Sequence, residues 1–309
     1  MLEKFFTKPK TYSRTQDDLY HQYNQWGGDL DQQWFVRFLR KNFPNNKTRI
    51  NFYGPLQNPF FIKNPQKGKK VFYTAEDVEH SFTKLWLYFR DYRLDYVDFA
   101  MGFGRIEHPK YLRFPYWIQT TFSPEFDEDQ IRQRIREINR NRYEKSRVCI
   151  VTTKHDPKNT RAMICDEVAK VLDITYAGRW RNNSQDLWNE FNDDKYSFMK
   201  LFKFNVCPEN DNTVNYVTEK LFDAFICDCV PVYYGSNNDP EPGLINKDAV
   251  IFWNENGDNS KNIELVQLLN NNQKEYDDFI NQTKLLPAFE EYVMSRYMGL
   301  KEHFKRLLE

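Results

Sequence analysis

The chain has 309 residues, 40% hydrophobic and 28% charged, a length for about two domains and a composition ordinary for a folded soluble protein. Its 44 Lys and Arg cancel 44 Asp and Glu, which removes the broad positive field that nucleic-acid binders depend on and leaves room only for a local basic pocket. No apolar run approaches the ~20 residues that span a bilayer, and residues 1–18 hold no apolar centre like that of a secretory signal, so the expected protein is soluble, without a transmembrane segment, and cytoplasmic.

Residues 1–20 are polar and patternless and are expected to form an extension. From 29 to 43 the sequence reads as a helix, because Trp34, Phe35, Phe38 and Leu39 recur at helical spacing, with Asp29 or Asp31 as its cap. Short β-rich runs predict strands at 48–53 and 70–74, the first closed by Gly54-Pro55. A helix is expected over 76–90 and a strand over 94–101, followed by Gly102 and Gly104. A charged helix over 127–145 carries Ile131, Ile135 and Ile138 on one side. Beyond a domain boundary near 145, strands at 147–153, 174–177, 204–207, 230–234 and 250–253 alternate with helices at 160–172, 193–201 and 218–226. Alternation of this kind predicts an α/β fold with a parallel sheet between helical layers. Ligands in such sheets bind beyond the carboxyl ends of the strands. Residues 285–309 read as helical, with a break near Gly299.

Aromatic residues reach 17%; most are expected in the core, although Tyr and Trp also suit sugar faces. Cys149, Cys165, Cys207, Cys227 and Cys229 all fall in apolar or mixed segments beyond the boundary near 145, and their odd number reads as reduced, buried thiols. Cys227 and Cys229 form a C-x-C pair, but none of the five histidines lies near it to complete a metal site.

Residues 203–236 are the informative stretch. They read as strand, polar loop, helix, strand and glycine, with Thr218 as helix cap. The free N–H groups of a helix start attract an anion; Lys220 in the first turn adds a full positive charge, and Glu219 adds an acceptor suited to sugar hydroxyls. Tyr216, just before the cap, is placed to cover a ribose or base. On these residues alone, a plain strand–helix junction with Glu219 and Lys220 solvated stands as the alternative.

This stretch resembles the signature of the α-1,3-fucosyltransferase family (glycosyltransferase family 10), approximately F-x-L-x-F-E-N-S, a spacer, Y-[VI]-T-E-K-[LI], then x-P-[VI]-x-x-G. Here the pieces stand as Phe204-Asn205-Val206-Cys207-Pro208-Glu209-Asn210, Tyr216-Val217-Thr218-Glu219-Lys220-Leu221 and Val230-Pro231-Val232-Tyr233-Tyr234-Gly235. Val71-Phe72-Tyr73-Thr74-Ala75-Glu76 resembles the family's V-F-Y-T-G-E-N. Residues 98–115 resemble its D-Y-x-x-G-F-D…Y-L-R-x-P. Asn159-Thr160-Arg161 resembles the segment with its phosphate-binding arginine. The likeness runs in order from about 70 to 300 and is weakest before 50 and between 120 and 145. Pro208 replaces the usual Phe, Asp211 the usual Ser, Ala75 and Asp77 the Gly and Asn around Glu76, and Gly104 a common Asp.

The resemblance implies a GT-B architecture, two Rossmann-like domains facing a cleft. Residues 1–145 would be the acceptor side, 146–285 the GDP-sugar-binding domain, and 286–309 a helical segment packing back on the first domain. It implies an inverting transfer of fucose from GDP-fucose to a hydroxyl of a glycan acceptor. By this resemblance Glu76 matches the proposed base, Arg161 and Lys220 the diphosphate-binding pair, Glu219 a donor-sugar or ribose contact that could stabilise developing positive charge, and Asn210 and Tyr216 further nucleotide contacts. Asp29-Leu30-Asp31 formally matches the D-x-D dyad that holds a metal-bound diphosphate in many glycosyltransferases. Its place before an amphipathic helix favours capping, and the family meets that charge with Arg, Lys and helix N–H groups, so no metal or further cofactor is expected. Two rivals stay open: a GT-B transferase for another nucleotide sugar, and a non-catalytic glycan- or nucleotide-binding relative. For the terminal Lys/Arg-bearing helix two placements stay open, peripheral membrane contact and packing against the domains.

Overall fold

The structure is a computed structural model that describes residues 12–23, 28–56, 61–80 and 86–309. It divides into two compact units, one of Met1–Asp129 with Glu291–Glu309 and one of Gln130–Glu290.

The first unit is built on a six-stranded sheet in sequence order: β1 (Tyr12–Arg14), β2 (Tyr20–Tyr23), β3 (Ile50–Tyr53), β4 (Lys69–Tyr73), β5 (Phe99–Gly102) and β6 (Tyr111–Arg113). β2 to β6 are parallel, and β1 runs antiparallel to β2 with Tyr12 opposite Tyr23. The expected extension over 1–20 is therefore corrected where it is described: 12–14 and 20 belong to the sheet. Thr15 and Asp17 close the turn between the two strands, Thr15 Oγ1 accepting from Tyr20 N at 3.2 Å and Asp17 Oδ1 from Leu19 N at 3.1 Å. β2 is buried along its whole length, so it lacks the alternation that marks a half-exposed strand.

Helix α1 (Trp34–Asn42) buries Phe35, Val36, Phe38 and Leu39, and is preceded by a separate 3-10 turn, Leu30–Gln32, which Asp29 caps. Over 76–90 the expected helix is not found: 76–80 is irregular with bends, Trp86–Phe89 is one 3-10 turn, and 81–85 lie outside the described residues. Asp77 Oδ1 accepts from both Glu79 N and His80 N, a local side-chain bond that competes with helix formation. The strand expected over 94–101 starts only at Phe99, because Tyr92 and Arg93 take positive φ and fold 91–96 into turns. Helix α2 (Tyr116–Thr121) follows β6.

Helix α3 (Glu128–Arg140) buries the three isoleucines anticipated from its pattern. The second unit then forms a five-stranded, all-parallel sheet from β7 (Arg147–Val151), β8 (Ile174–Tyr176), β9 (Phe202–Val206), β10 (Val230–Tyr233) and β11 (Ile251–Phe252), in the order β11-β10-β9-β7-β8. The intervening helices are α4 (Thr160–Val168), α5 (Asp186–Asn189), α6 (Lys195–Met199), α7 (Glu219–Ile226), and, after β11, α8 (Ser260–Asn271) and α9 (Gln273–Ile280). Val151, Phe204, Val206, Val230 and Val232 of the strands pack with Ile164, Val168, Val266 and Leu269 of the helices. All five cysteines are free and buried, where they act as small hydrophobes.

The last helix, α10 (Ala288–Leu308), runs unbroken through Gly299. A Cβ there would lie 3.2 Å from Leu112 Cδ1. The glycine thus allows close approach of α10 to β6 rather than ending the helix. Tyr297 and Phe304 anchor the same helix, Tyr297 OH donating to Ser123 O at 2.8 Å and Phe304 meeting Phe99 edge-on at 5.4 Å. Among the described residues no helix is long and apolar enough to cross a membrane.

Candidate functional site

In the second sheet β7 lies between β8 and β9, so the chain first leaves β7 toward one edge and later returns to build toward the other. Such a reversal opens a crevice at the carboxyl ends of the two central strands. A cavity is found there, lined by Thr152 and Thr153 after β7, residues 205–208 at the end of β9, Arg161 of α4, Lys195 of α6, and Glu219 and Lys220 of α7.

Its organising group is Glu209, only 1% exposed. One carboxylate oxygen accepts from Thr218 N at 2.7 Å and from Tyr233 OH at 3.3 Å; the other accepts from Thr218 Oγ1 at 2.6 Å and Lys220 Nζ at 3.2 Å. Gly235 makes room for it, since a Cβ at that position would stand 2.6 Å from Glu209 Cγ. Thr218 occupies the N-cap position of α7 but makes no side-chain capping bond, because its hydroxyl is turned to Glu209. Thr218 itself therefore caps none of the first N–H groups of α7, and N–H groups at a helix start favour negative charge.

Lys220 Nζ also donates to Thr218 Oγ1 at 2.8 Å and lies 3.5 Å from Glu219 Oε1. Burial opposes its charge, but Glu209 and Glu219 outweigh that and the nearby Arg161, and hold the ammonium well above the ordinary lysine range. Arg161 is buried; its guanidinium donates to His155 O at 3.0 Å and Asn210 Oδ1 at 2.6 Å, with Asp156 3.9 Å away. Burial lowers its pKa, against the pull of Asp156 and Glu209, yet a guanidinium stays charged throughout. Asp156 also accepts from Arg161 N and Ala162 N at the start of α4, at 3.2 and 2.8 Å. Asn210 thus reaches the site through its bond to Arg161. Burial would raise the pKa of Glu219, but the charges of Lys220 and Lys195 with local hydrogen bonds keep it below the usual range. Lys195 in turn donates to the buried Asp223 at 2.6 Å, which also accepts from Tyr196 OH at 2.8 Å.

The structure thus brings Arg161, Asn210, Glu219 and Lys220 together. Tyr216 differs from expectation: at 2% exposure its ring has almost no surface with which to cover a ribose or base. Glu209 and Lys195 were not singled out from sequence, since a carboxylate in a polar loop and a lysine opening a short helix look like solvated groups until the strands place them. Asp211, at a position of departure from the family pattern, pairs with Lys158 at 2.6 Å. At Gly104, another departure, a Cβ would come 2.7 Å from Glu79 Oε1 and 2.8 Å from Tyr92 OH.

Glu76 lies in the first unit, just beyond the carboxyl end of β4, in a turn held by Thr74, whose Oγ1 accepts from Glu76 N at 3.0 Å and donates to Glu76 O at 2.9 Å. It borders a cavity of about 250 Å³ whose walls include Gln33 and Trp34 of the α1 start, Tyr73, and Tyr116 and Gln119 of α2. Of the D-x-D pair, Asp29 accepts from Asp31 N at 3.0 Å and Asp31 is ion-paired with Arg40. Among the described residues no group of three or more His, Cys, Asp and Glu side chains is placed to hold a metal ion.

Known proteins resemble this chain in sequence and in fold. A family model described as glycosyltransferase family 10 (fucosyltransferase) C-term matches residues 141–298. The chain is 27% identical over 234 residues to alpha-(1,3)-fucosyltransferase FucT of Helicobacter pylori, covering 67% of this chain and 45% of that protein. It is 26% identical over 139 residues to 4-galactosyl-N-acetylglucosaminide 3-alpha-L-fucosyltransferase 9 of Homo sapiens, covering 44% and 37% respectively. The chain therefore spans less than half the length of these curated relatives. Crystal structures of an alpha1,3-fucosyltransferase with GDP-fucose and with GDP share its fold. Their TM-scores are 0.57 and 0.58 at 19% and 17% identity; the first alignment covers 90% of this chain and 88% of that one, the second 96% and 95%. That likeness shows the two-sheet α/β fold to be of the GT-B kind.

Proposed function

The chain belongs to glycosyltransferase family 10, and from that premise we propose that it is an inverting glycosyltransferase that moves fucose from GDP-fucose to a hydroxyl of a glycan. The observation that carries the reading is the pair of cations, Arg161 and Lys220, lining one cavity at the switch point of the parallel sheet. Fixed positive charge beside the helix N–H groups suits a diphosphate better than any neutral ligand. Two relatives named above are fucosyltransferases, and a structure of the same fold holds GDP-fucose.

In this reading Arg161 and Lys220 grip the diphosphate and stabilise the charge that develops as it leaves. Asn210 fixes the guanidinium, Glu209 fixes the ammonium, and Glu219 accepts from donor hydroxyls and counters positive charge at the sugar. Tyr216 supports this shell from within. Glu76 is the general base. The acceptor oxygen forms its bond to C1 of fucose, the bond from C1 to the β-phosphate oxygen breaks with its electron pair going to GDP, and the hydroxyl proton passes to Glu76. No metal is required, because the cations already meet the leaving group's charge. We assign the donor side to residues 146–285, the acceptor side to residues 1–145, and the segment 286–309 to support of the acceptor side. We place the activity in the cytoplasm, with peripheral membrane contact through α10; five free, buried thiols suit a reducing compartment.

A nucleotide-release assay with GDP-fucose, GDP-mannose and UDP-galactose tests the reading. GDP-fucose is expected to be turned over in the presence of a galactoside acceptor, and the others far more slowly. Preference for another donor would move the assignment to a different sugar, and GDP binding without turnover on any acceptor would make the chain a non-catalytic relative.

A further inference from the structure

The second unit has another cavity, about 480 Å³ in volume, beside the end of α3 and the loop after α9. Its wall carries three guanidinium groups, Arg136, Arg140 and Arg142, and among the described residues no acidic side chain lines it. Arg136 and Arg140 stand four residues apart on α3, on the same face, where like charges weaken a helix. The helix dipole favours a cation in the last turn, which accounts for Arg140 but not for the missing counter-charge. Arg136 donates to the neutral Gln133 Oε1 at 3.1 Å, and among the described residues the Arg140 side chain has neither an ion pair nor a hydrogen bond. Both are exposed, so a charged ligand reaches them from solvent. Arg142 is fixed in place, Nε donating to Asn281 Oδ1 and Nη1 to Asn141 O, each at 2.8 Å. Its one carboxylate contact is the buried Asp228 at 3.4 Å, which does not line the cavity and is shared with Lys284 at 3.2 Å. Asn281, with its carbonyl taken by Arg142, keeps its amide N–H groups as donors, and Thr283 adds a hydroxyl to the wall.

We propose that this cavity is a second anion site, sharing no lining residue with the crevice of Arg161 and Lys220, and that it takes a phosphate group carried as a monoester or a diphosphate. Three guanidinium groups facing one space match the two or more charges of such a group better than the single charge of a carboxylate, and the planar fork of each pairs two oxygens at once. Arg136 and Arg140 supply most of the attraction because no carboxylate spends their charge; Arg142, held by Asn281, gives the site a fixed edge. The phosphate can belong to a free small molecule or to a lipid headgroup, since the chemistry at the wall is the same. None of this rests on the transferase reading.

The test compares the full wild-type chain with Arg136→Gln/Arg140→Gln, both in excess GDP to occupy the donor crevice. Pyrophosphate is titrated into each by calorimetry at about 0.15 M salt, which screens charges more than ~8 Å apart. The wild type is expected to bind, and the variant to bind at least about tenfold more weakly. Thermal unfolding should show the variant as stable as the wild type, since a like-charge pair has been removed from α3. Arg140→Gln alone, at a side chain with no partner to lose, is expected to weaken binding about threefold or more and decides the matter if the double variant misfolds. Equal affinity in the two chains, or no binding by the wild type, overturns the proposal. Vesicles separate the two sources. Co-sedimentation of the wild type, but not the variant, with phosphatidylcholine vesicles carrying phosphatidic acid assigns a lipid headgroup; pyrophosphate binding that the variant loses, with no sedimentation of either chain, assigns a free phosphate compound. Failure of GDP itself to bind, measured first, would count against the transferase reading, while the difference in pyrophosphate binding between the two chains would still report on the arginine cavity.

Discussion

Glu209 and Lys220, eleven residues apart in sequence, meet at 3.2 Å between Oε2 and Nζ, and Thr218 is bonded to both. The triangle ties the end of β9 to the start of α7, so the same contact that joins strand to helix also aims the ammonium into the cavity. In the proposed reading, stability and donor binding are coupled here through one buried carboxylate.

Glu209→Gln should expose that coupling. The amide keeps the shape but loses the charge that holds Lys220 and replaces an acceptor with a donor facing Thr218. A loss of about 1–3 kcal/mol is expected in denaturant unfolding, together with weaker GDP binding. Unchanged stability with unchanged GDP affinity would show that the carboxylate organises nothing.

Lys220→Ala and Arg161→Ala should each lower kcat/KM by about 10²–10³ while the chain remains folded. Glu76→Gln should lower kcat severely and leave GDP-fucose affinity intact, since in our assignment it acts on the acceptor. A wild-type rate in Glu76→Gln would require another base, with the acidic residues of 98–107 the next to examine.

Lys195 should act through Glu219 rather than on the donor alone. Its charge is one of those holding the Glu219 carboxyl below the ordinary range. In Lys195→Met the acid limb of the kcat/KM profile is expected to move to higher pH, because Glu219 becomes easier to protonate. A uniform drop in rate with no movement of that limb would reduce Lys195 to a structural partner of Asp223.

The same lowered carboxyl has a consequence for stability. A group whose folded pKa lies below its unfolded value stabilises the fold above the unfolded value, about 4.3 for glutamate, and that contribution is lost as pH falls through the folded value. Thermal unfolding of the wild type should therefore lose stability below that pH more steeply than Glu219→Gln does; parallel curves would contradict it.

Much of the second unit was legible in the sequence, because parallel strands buried on both faces appear as apolar runs such as 147–151 and 230–233, and their order with the helices fixes a parallel sheet. Arg161, Asn210, Glu219 and Lys220 could be named from their motifs. Depth could not: Tyr216 looks like a contact residue in sequence but is buried, and Glu209 looks like a loop carboxylate but is buried and bonded to Thr218, Lys220 and Tyr233. The first unit was harder. β1, β2 and β6 are three or four residues long, too short for a periodic signal, and the turn at 75–80 is set by Thr74 and Asp77 side chains acting locally. Gly299 suggested a helix break because a missing side chain weakens a helix; what it reflects is the nearness of Leu112, a tertiary fact.

The central claim is that two fixed cations at the switch point hold the diphosphate without help from a metal. Calorimetric titration of GDP into the wild type and the Arg161→Ala/Lys220→Ala variant, both in excess chelator, measures it most directly. The wild type should bind and the double variant should lose at least about a hundredfold in affinity; equal affinity in the two, or wild-type binding that appears only when a divalent ion is restored, would contradict the account.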